Sequence, residues 1–434
     1  GSDALQANTT ASNNTAVGYQ SLYANTTGDN NVAIGFLAMD NTTVSDRNVA
    51  VGNFTLQNLT TTGDSYNVAM GYAAMELTSS GIRNVAIGAY SMQPHTTGSY
   101  NTALGAFSLD ASTTGSYNVA LGYSALGANT TASQNTAVGY QALNANTTGA
   151  PNTAIGYRAL YANTTGTDNN SFGYLSLSLN TTGSSNCAFG HVVLDANTTG
   201  IANSAFGQAT LSDNTTGNYN TAIGSNALTN NTTASENVAV GYRSMITNTT
   251  GVDNTAVGVD SMYDNTSGQK NAAFGKAALG DNTTGDYNVA IGPYAMRLNT
   301  TASSNTAVGY QAGYSTTTGS ANNAFGTSAL FTNSTGSQNV AMGNNTLDNN
   351  TTGSYNVALG NQALGANTTA SLNTAVGYQA GYSSTGENNT FIGRYAGSSV
   401  TTGGKNTILG GFDGNFGGLD IRTSSNNIVL SDGD

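Results

Sequence analysis

The sequence predicts an all-β fold, a repetitive parallel β-solenoid or β-roll of about 24 coils with a 17-residue period. Three observations carry this prediction. An asparagine stands four residues before the marker glycine in each of 24 repeats, usually as Asn-x-Ala-[Val/Ile/Leu/Phe]-Gly, and the interval is almost always 17 residues. A unit that short cannot enclose a core of its own, so each repeat must bury its apolar face on its neighbours. Between the motifs lie short runs rich in β-branched residues, punctuated by Asn-Thr-Thr-Gly, which read as strands and turns. The load of Gly, Asn and Thr disfavours helix.

The array starts in mid-repeat. Gly1-Ser-Asp-Ala-Leu-Gln-Ala-Asn-Thr-Thr10 matches Gly139-Tyr-Gln-Ala-Leu-Asn-Ala-Asn-Thr-Thr148, as expected of a piece cut from a longer array. The marker glycines then run from Gly18, Gly35 and Gly52 to Gly393 and Gly410. Two extra residues enter between Gly52 and Gly71, and one is lost between Gly377 and Gly393. Residues 1–410 are therefore the repeat array. Residues 411–434 read as a non-repeat strand segment leading to a downstream domain outside this chain.

Within a repeat, each slot has its own expectation. The motif asparagines Asn14, Asn31, Asn48, Asn67, Asn84, Asn101, Asn118, Asn135 and Asn152 should form a coil-to-coil ladder, since identical amides stacked at strand spacing can satisfy one another. The residue before the glycine is large and apolar (Val17, Ile34, Met70, Leu104, Phe189) and is expected to form a thin core. The Ala beside it is expected to admit the backbone of another chain, which favours a homo-oligomer. Leu or Met lies four residues after the glycine, giving way to Gly at Gly313, Gly381 and Gly397. Two short strands and a turn would fill one coil. Stacked at ~4.8 Å, the coils predict a rod on the order of 115 Å long.

Composition narrows the functional classes. Only 7% of residues are charged, and a net charge of −12 is spread without acidic or basic runs. Ten Lys and Arg residues cannot track a phosphate backbone, so nucleic acid is not an expected partner. No stretch approaches the length of a transmembrane helix, and no membrane partner is expected. The lone Cys187 takes a slot held elsewhere by Thr or Val and reads as a small packed residue. His95 and His191 stand in different slots without metal-ligand spacing, and both read as solvated. Gly-Gly-Phe-Asp-Gly-Asn (410–415) is only a faint echo of calcium-binding turns. No cofactor, no metal site and no catalytic constellation is expected, and the chain reads as a non-enzyme.

Two surface readings compete with plain structure. Asn25, Asn129, Asn146, Asn163, Asn180, Asn197 and Asn214 head Asn-Thr-Thr sequons and are candidate N-glycosylation sites, although the same residues suit a repeated turn. Tyr19, Tyr123, Tyr140, Tyr157 and Tyr174 follow the marker glycine and are candidates for stacking on a host-surface glycan, with cross-coil packing as the alternative. The Thr pairs also suggest ice binding. Adjacent threonines such as Thr26 and Thr27 point to opposite sides of an extended chain, however, whereas an ice-ordering face wants them two apart.

The motifs Asn-Thr-Ala-Val-Gly (14–18) and Asn-Val-Ala-Ile-Gly (31–35, 84–88) resemble the head repeats of trimeric autotransporter adhesins. Those form left-handed parallel β-rolls packed as homotrimers. Together with Gly-Tyr-Gln-Ala-Leu and Asn-Thr-Thr-Gly, the motifs are similar to the shafts of bacteriophage tail fibres. The segment 411–434 looks like the join between such shafts and a chaperone region. The resemblance covers nearly the whole chain. It implies a structural shaft of a viral tail fibre, extracellular or on a virion surface, that spaces a receptor-binding tip from the particle. The alternatives are a glycosylated extracellular filament, or a surface adhesin whose repeated face binds polysaccharide or another host receptor.

Overall fold

The computed structural model describes residues 1–432. The chain is an all-β parallel β-solenoid of about 24 turns. It divides into two units, Gly1–Asn218 and Tyr219–Asp434, each a stack of coils. In the first unit each motif contributes a three- or four-residue strand, from Thr15–Val17 to Ser204–Phe206. Successive strands pair in parallel and in register, Ala16 opposite Ala33 and Val17 opposite Ile34. The second unit repeats the scheme from Thr221–Ile223 onward, with Ala307 opposite Ala324 and Val308 opposite Phe325. Register is fixed because a slip of one residue would turn every side chain to the other face.

The facing of these strands reverses the expectation from sequence. Ala33, Ala50, Ala69 and Ala86 are fully buried, whereas Val17 is 54% and Leu104 45% exposed. The apolar residue before the glycine therefore points outward and is not the core. The Ala is interior and is not a contact for another chain. Adjacent strand residues must face opposite ways, and the interior is already occupied by the residue four after the glycine: Leu22, Met39, Leu56 and Met75 are fully buried. Beside such a side chain only a methyl group fits, so Ala faces inward and its bulky neighbour outward.

Most coils form a single strand; the expected second strand is replaced by a run of alternately left-handed residues. Gln20 and Leu22 both have φ of 51°, and Met39, Leu56 and Met75 repeat the pattern at 54°, 47° and 53°. A left-handed non-glycine residue costs roughly 1–2 kcal/mol. Bonds to both neighbouring coils hold the conformation. Gln20 N–H donates to Ser2 O at 3.0 Å, while Leu22 N–H donates to Ala38 O at 3.0 Å. This conformation accounts for Gly313, Gly381 and Gly397 (φ 59°, 59° and 62°) in the Leu/Met slot. The marker glycine has a separate reason. Gly71 has φ of 132°, and a Cβ there would lie 2.6 Å from the carbonyl carbon of Gly88 in the next coil.

The irregularities are absorbed at turns. After the two-residue insertion, Gly63–Asp64 makes a short parallel pairing with Ser45–Asp46. Parallel strand stacking also continues past residue 410. Ile428–Leu430 pairs in parallel with Thr407–Leu409, and Asn427 N–H donates to Asn406 Oδ1 at 3.0 Å across 21 residues. An antiparallel pair, Asn415–Phe416 with Leu419–Asp420, is inserted into that last coil and disguises it in the sequence.

Candidate interaction surface

Two asparagine columns run inside the coils. In the first, each amide oxygen accepts from the backbone of the next motif asparagine. Asn31 N–H donates to Asn14 Oδ1 at 2.8 Å and Asn48 N–H to Asn31 Oδ1 at 2.9 Å. Asn67, Asn84, Asn101, Asn118 and Asn135 continue the series at 2.9–3.0 Å. The amide nitrogens reach across the coil to a turn carbonyl, as from Asn14 Nδ2 to Gly28 O and from Asn31 Nδ2 to Ser45 O, both 2.8 Å. The principal ladder bond is therefore side chain to backbone. The column breaks between Asn135 and Asn152 and resumes with Asn169 N–H on Asn152 Oδ1 at 3.0 Å.

The second column consists of sequon asparagines, and the seven candidates are interior, whereas Asn8 and Asn41, which also head Asn-Thr-Thr, are exposed. Asn25, Asn129, Asn146, Asn163, Asn180, Asn197 and Asn214 are fully buried. Their Nδ2 atoms donate to the carbonyl three residues on: Asn25 to Gly28 at 3.1 Å, Asn129 to Ala132 at 3.0 Å. They also donate to the Oδ1 of the preceding coil: Asn146 to Asn129 at 3.2 Å, Asn163 to Asn146 at 2.9 Å, Asn180 to Asn163 at 2.9 Å, Asn197 to Asn180 at 2.7 Å and Asn214 to Asn197 at 2.9 Å. A glycan on Nδ2 would replace both bonds and occupy the coil interior, so in the folded coil these side chains are closed to modification. The expected turn is there, closed by the buried amide.

His95 stands in this same column and is buried, which corrects its reading as solvated. Its Nε2 lies 2.7 Å from Gly98 O, the position an asparagine Nδ2 would take. Thr78 and Ser112, in the flanking coils, are small enough to accommodate the ring. Burial pushes its pKa down. His191 is exposed and stacks on Tyr174 with ring centroids 5.1 Å apart.

Outside, the first unit carries an aromatic column unbroken from Tyr19 to His191. Tyr19 stacks on Phe36 at 5.3 Å, and Tyr123, Tyr140, Tyr157 and Tyr174 stack in series at 5.2–5.5 Å with ring planes within 12°. Between these stretches, Phe54, Tyr72, Tyr90 and Phe107 bridge the gap at 5.3–5.7 Å. Tracking only the slot after the glycine makes this column look discontinuous. Where Asn53, Ala89 and Ala106 fill that slot, the next residue supplies the ring, and reading the two slots together recovers the series. The near-parallel rings turn their faces toward one another.

Beside the aromatic column runs the outward strand residue. In the first unit it passes from Val17 and Ile34 through Met70 and Leu104 to Phe172, Phe189 and Phe206, one large apolar side chain per coil. Phe172 and Phe189 stack at 4.2 Å. The second unit has the same stripe from Ile223 to Leu409. Exposed apolar stripes of this kind are candidates for an interaction surface.

Ionisable groups are few and scattered. Asp40, Asp110, Asp195 and Asp348 share the slot five after the glycine, and burial raises the pKa of each, that of Asp110 to about 6. Burial also raises the thiol of Cys187, which is half-buried in its strand. Among the described residues no three His, Cys, Asp or Glu side chains group to hold a metal ion, and no helix is long and apolar enough to cross a membrane. No protein-family model matches the chain, and no curated protein matches it.

Proposed function

We propose that this chain is a structural shaft: a homotrimeric fibre segment of a viral tail fibre or a closely similar adhesin, extracellular or on a virion surface, holding a receptor-binding tip away from the particle. Its work is mechanical rather than catalytic. The observation that carries this reading is the outward apolar stripe. A monomer has no use for one exposed Val, Ile, Leu, Met or Phe in each coil. Val17, Ile34, Met70, Leu104, Phe189 and Phe206 of the first unit are each more than a third exposed.

A second and third copy of the chain fit this stripe best. Closed cyclic symmetry brings the same stripe of each copy to a common axis. Parallel copies in register would then meet coil by coil, and the run Phe172, Phe189 and Phe206 would meet its own equivalents. Slipping by one coil would set aromatic layers against Val or Ile layers. Within each unit the interior asparagine columns support the shaft role by linking stacked coils without depending on the partner.

Sedimentation equilibrium tests the assembly, with three times 43.8 kDa expected for the wild type. Ile87→Glu combined with Phe189→Glu should yield monomers that keep their β circular dichroism. A wild-type monomer would refute the trimer and leave a self-sufficient solenoid.

A further inference from the structure

The second unit contains a cluster of three basic side chains. Arg243, Lys276 and Arg297 line a single open cleft of about 360 Å³, together with Asp260, Tyr263, Ala277 and Tyr294. Three of the ten Lys and Arg residues thus converge in a protein whose net charge is −12. The depression has a clear origin in the repeat. In the coil that follows Gly275, the second and fifth slots hold Ala277 and Gly280, where neighbouring coils place Tyr294, Tyr263 and Arg297. One coil is pared back, and its neighbours form the walls.

The walls are pre-set. Arg243 donates from Nε to Asp260 Oδ1 at 2.8 Å, and its guanidinium lies over Tyr242 at 4.9 Å and Tyr263 at 5.1 Å. Arg297 is paired with Asp281 and extends over Gly280, where a Cβ would sit 2.9 Å from its Cδ. Each arginine is thus neutralised and oriented by its own aspartate. Lys276 is exposed, lies 5.7 Å from the centroid of Tyr294 and pairs with no carboxylate among the described residues. Asp264, whose N–H donates to Gly280 O at 2.9 Å, also flanks the pared-back coil, so Lys276 is the cleft's one cation outside an ion pair rather than a surplus of net charge. The rings also differ from the stacked column of the first unit: Tyr294 meets Tyr310 only edge-on, at 6.2 Å.

We propose that this cleft binds a carboxylate-bearing sugar, a uronate unit of an acidic polysaccharide. Lys276 pairs with the carboxylate, the oriented guanidinium groups donate to ring hydroxyls, and Tyr263 and Tyr294 pack against the C–H faces of the sugar. One cation outside an ion pair suits one carboxylate per site and is too little for a polyphosphate chain, whose binding grows with the number of phosphates neutralised. Val257, Phe274 and Ile291 of the apolar stripe do not line the cleft, so sugar binding and chain assembly use different side chains.

Titration calorimetry with tetragalacturonate, and with its methyl ester as the uncharged control, tests the assignment. Lys276→Asn and Ala277→Tyr are the informative variants, because Asn53 and Asn344 already stand in the first slot and Tyr90 and Tyr294 in the second. Each should weaken tetragalacturonate binding at least tenfold with unchanged melting, Arg83→Asn should leave it unchanged, and the ester should not bind. No binding to the wild type, binding undiminished in both variants, or equal binding of a short polyphosphate would overturn the proposal.

Discussion

Phe391 occupies the coil interior directly against Gly397, in space that a leucine or methionine side chain fills in most other coils. The same ring also closes on Gly381 in the preceding coil. Where the interior strand residue grows from Ala to Phe, the facing slot shrinks from Leu to Gly on both sides, and the cross-section stays filled. Phe391→Ala should therefore cost about 3–5 kcal/mol, as large-to-small core changes do. Adding Gly381→Leu and Gly397→Leu, which restores the common coil, should recover most of that loss in thermal unfolding.

Pro151 interrupts the first asparagine column. The neighbouring coils hold a left-handed residue at this slot, Gln134 at φ 63° and Asp168 at φ 58°, which a proline ring forbids. Both side-chain amide atoms of Asn135 are left buried without a partner. An unmade buried bond costs about 1–3 kcal/mol. Pro151→Asn should raise stability by roughly 1 kcal/mol once the lost rigidity of proline is set against the regained bonds. Slower hydrogen exchange at the Asn152 amide would locate the gain.

Interior Ala and exterior bulk make separable predictions. Ala137→Leu should destabilise the coil by about 1–3 kcal/mol through overpacking, yet leave the sedimentation coefficient of the folded protein unchanged. If Ala137→Leu disrupted assembly while melting stayed normal, the facing of the strand would be the reverse of that described.

Asparagine in the second column is held by its donor as much as by its size. Asn180 donates both to Gly183 O at 2.9 Å and to Asn163 Oδ1 at 2.9 Å. Asn180→Asp keeps the shape and removes both donors, so it should cost about 2 kcal/mol or more at neutral pH. Chemical denaturation of the two proteins side by side gives the difference.

Acid and base act on different residues with opposite sign. The pKa of His95 is lowered by burial, so the folded state holds its neutral form. Its contribution is complete above the unfolded value near 6.5 and is lost as pH falls through the depressed folded value. The pKa of Asp110 is raised to about 6, so folding disfavours its charged form, and stability declines as pH rises from about 4 to 6. His95→Asn should flatten the acid side of the profile. Asp110→Asn should raise the melting temperature at pH 7 and leave it unchanged at pH 3.5.

Some of the interior was legible from single residues. The motif asparagines announced a ladder because one polar residue recurs at one position in coil after coil. The second column was harder to see, because Asn-Thr-Thr is at once a turn, a sequon and an interior amide, and local sequence does not tell them apart. His95 shows why. It replaces Asn180's kind of side chain only because Thr78 and Ser112 are small, and that is a relation between coils. The basic cleft was hidden for the same reason: Ala277 and Gly280 look unremarkable in their own repeat and matter only for what stands in the coils above and below.

The sequence by itself determined the period, the parallel stacking and the all-β class, since a 17-residue unit with one β-branched run and one asparagine turn has no other way to bury apolar surface. Tertiary structure alone decided which way each strand faces. Ala and its bulky neighbour are adjacent, hydrophobicity favours the larger one inside, and the pattern fits either choice. The buried Leu or Met across the coil leaves room for a methyl group only, and so turns the large apolar residues outward.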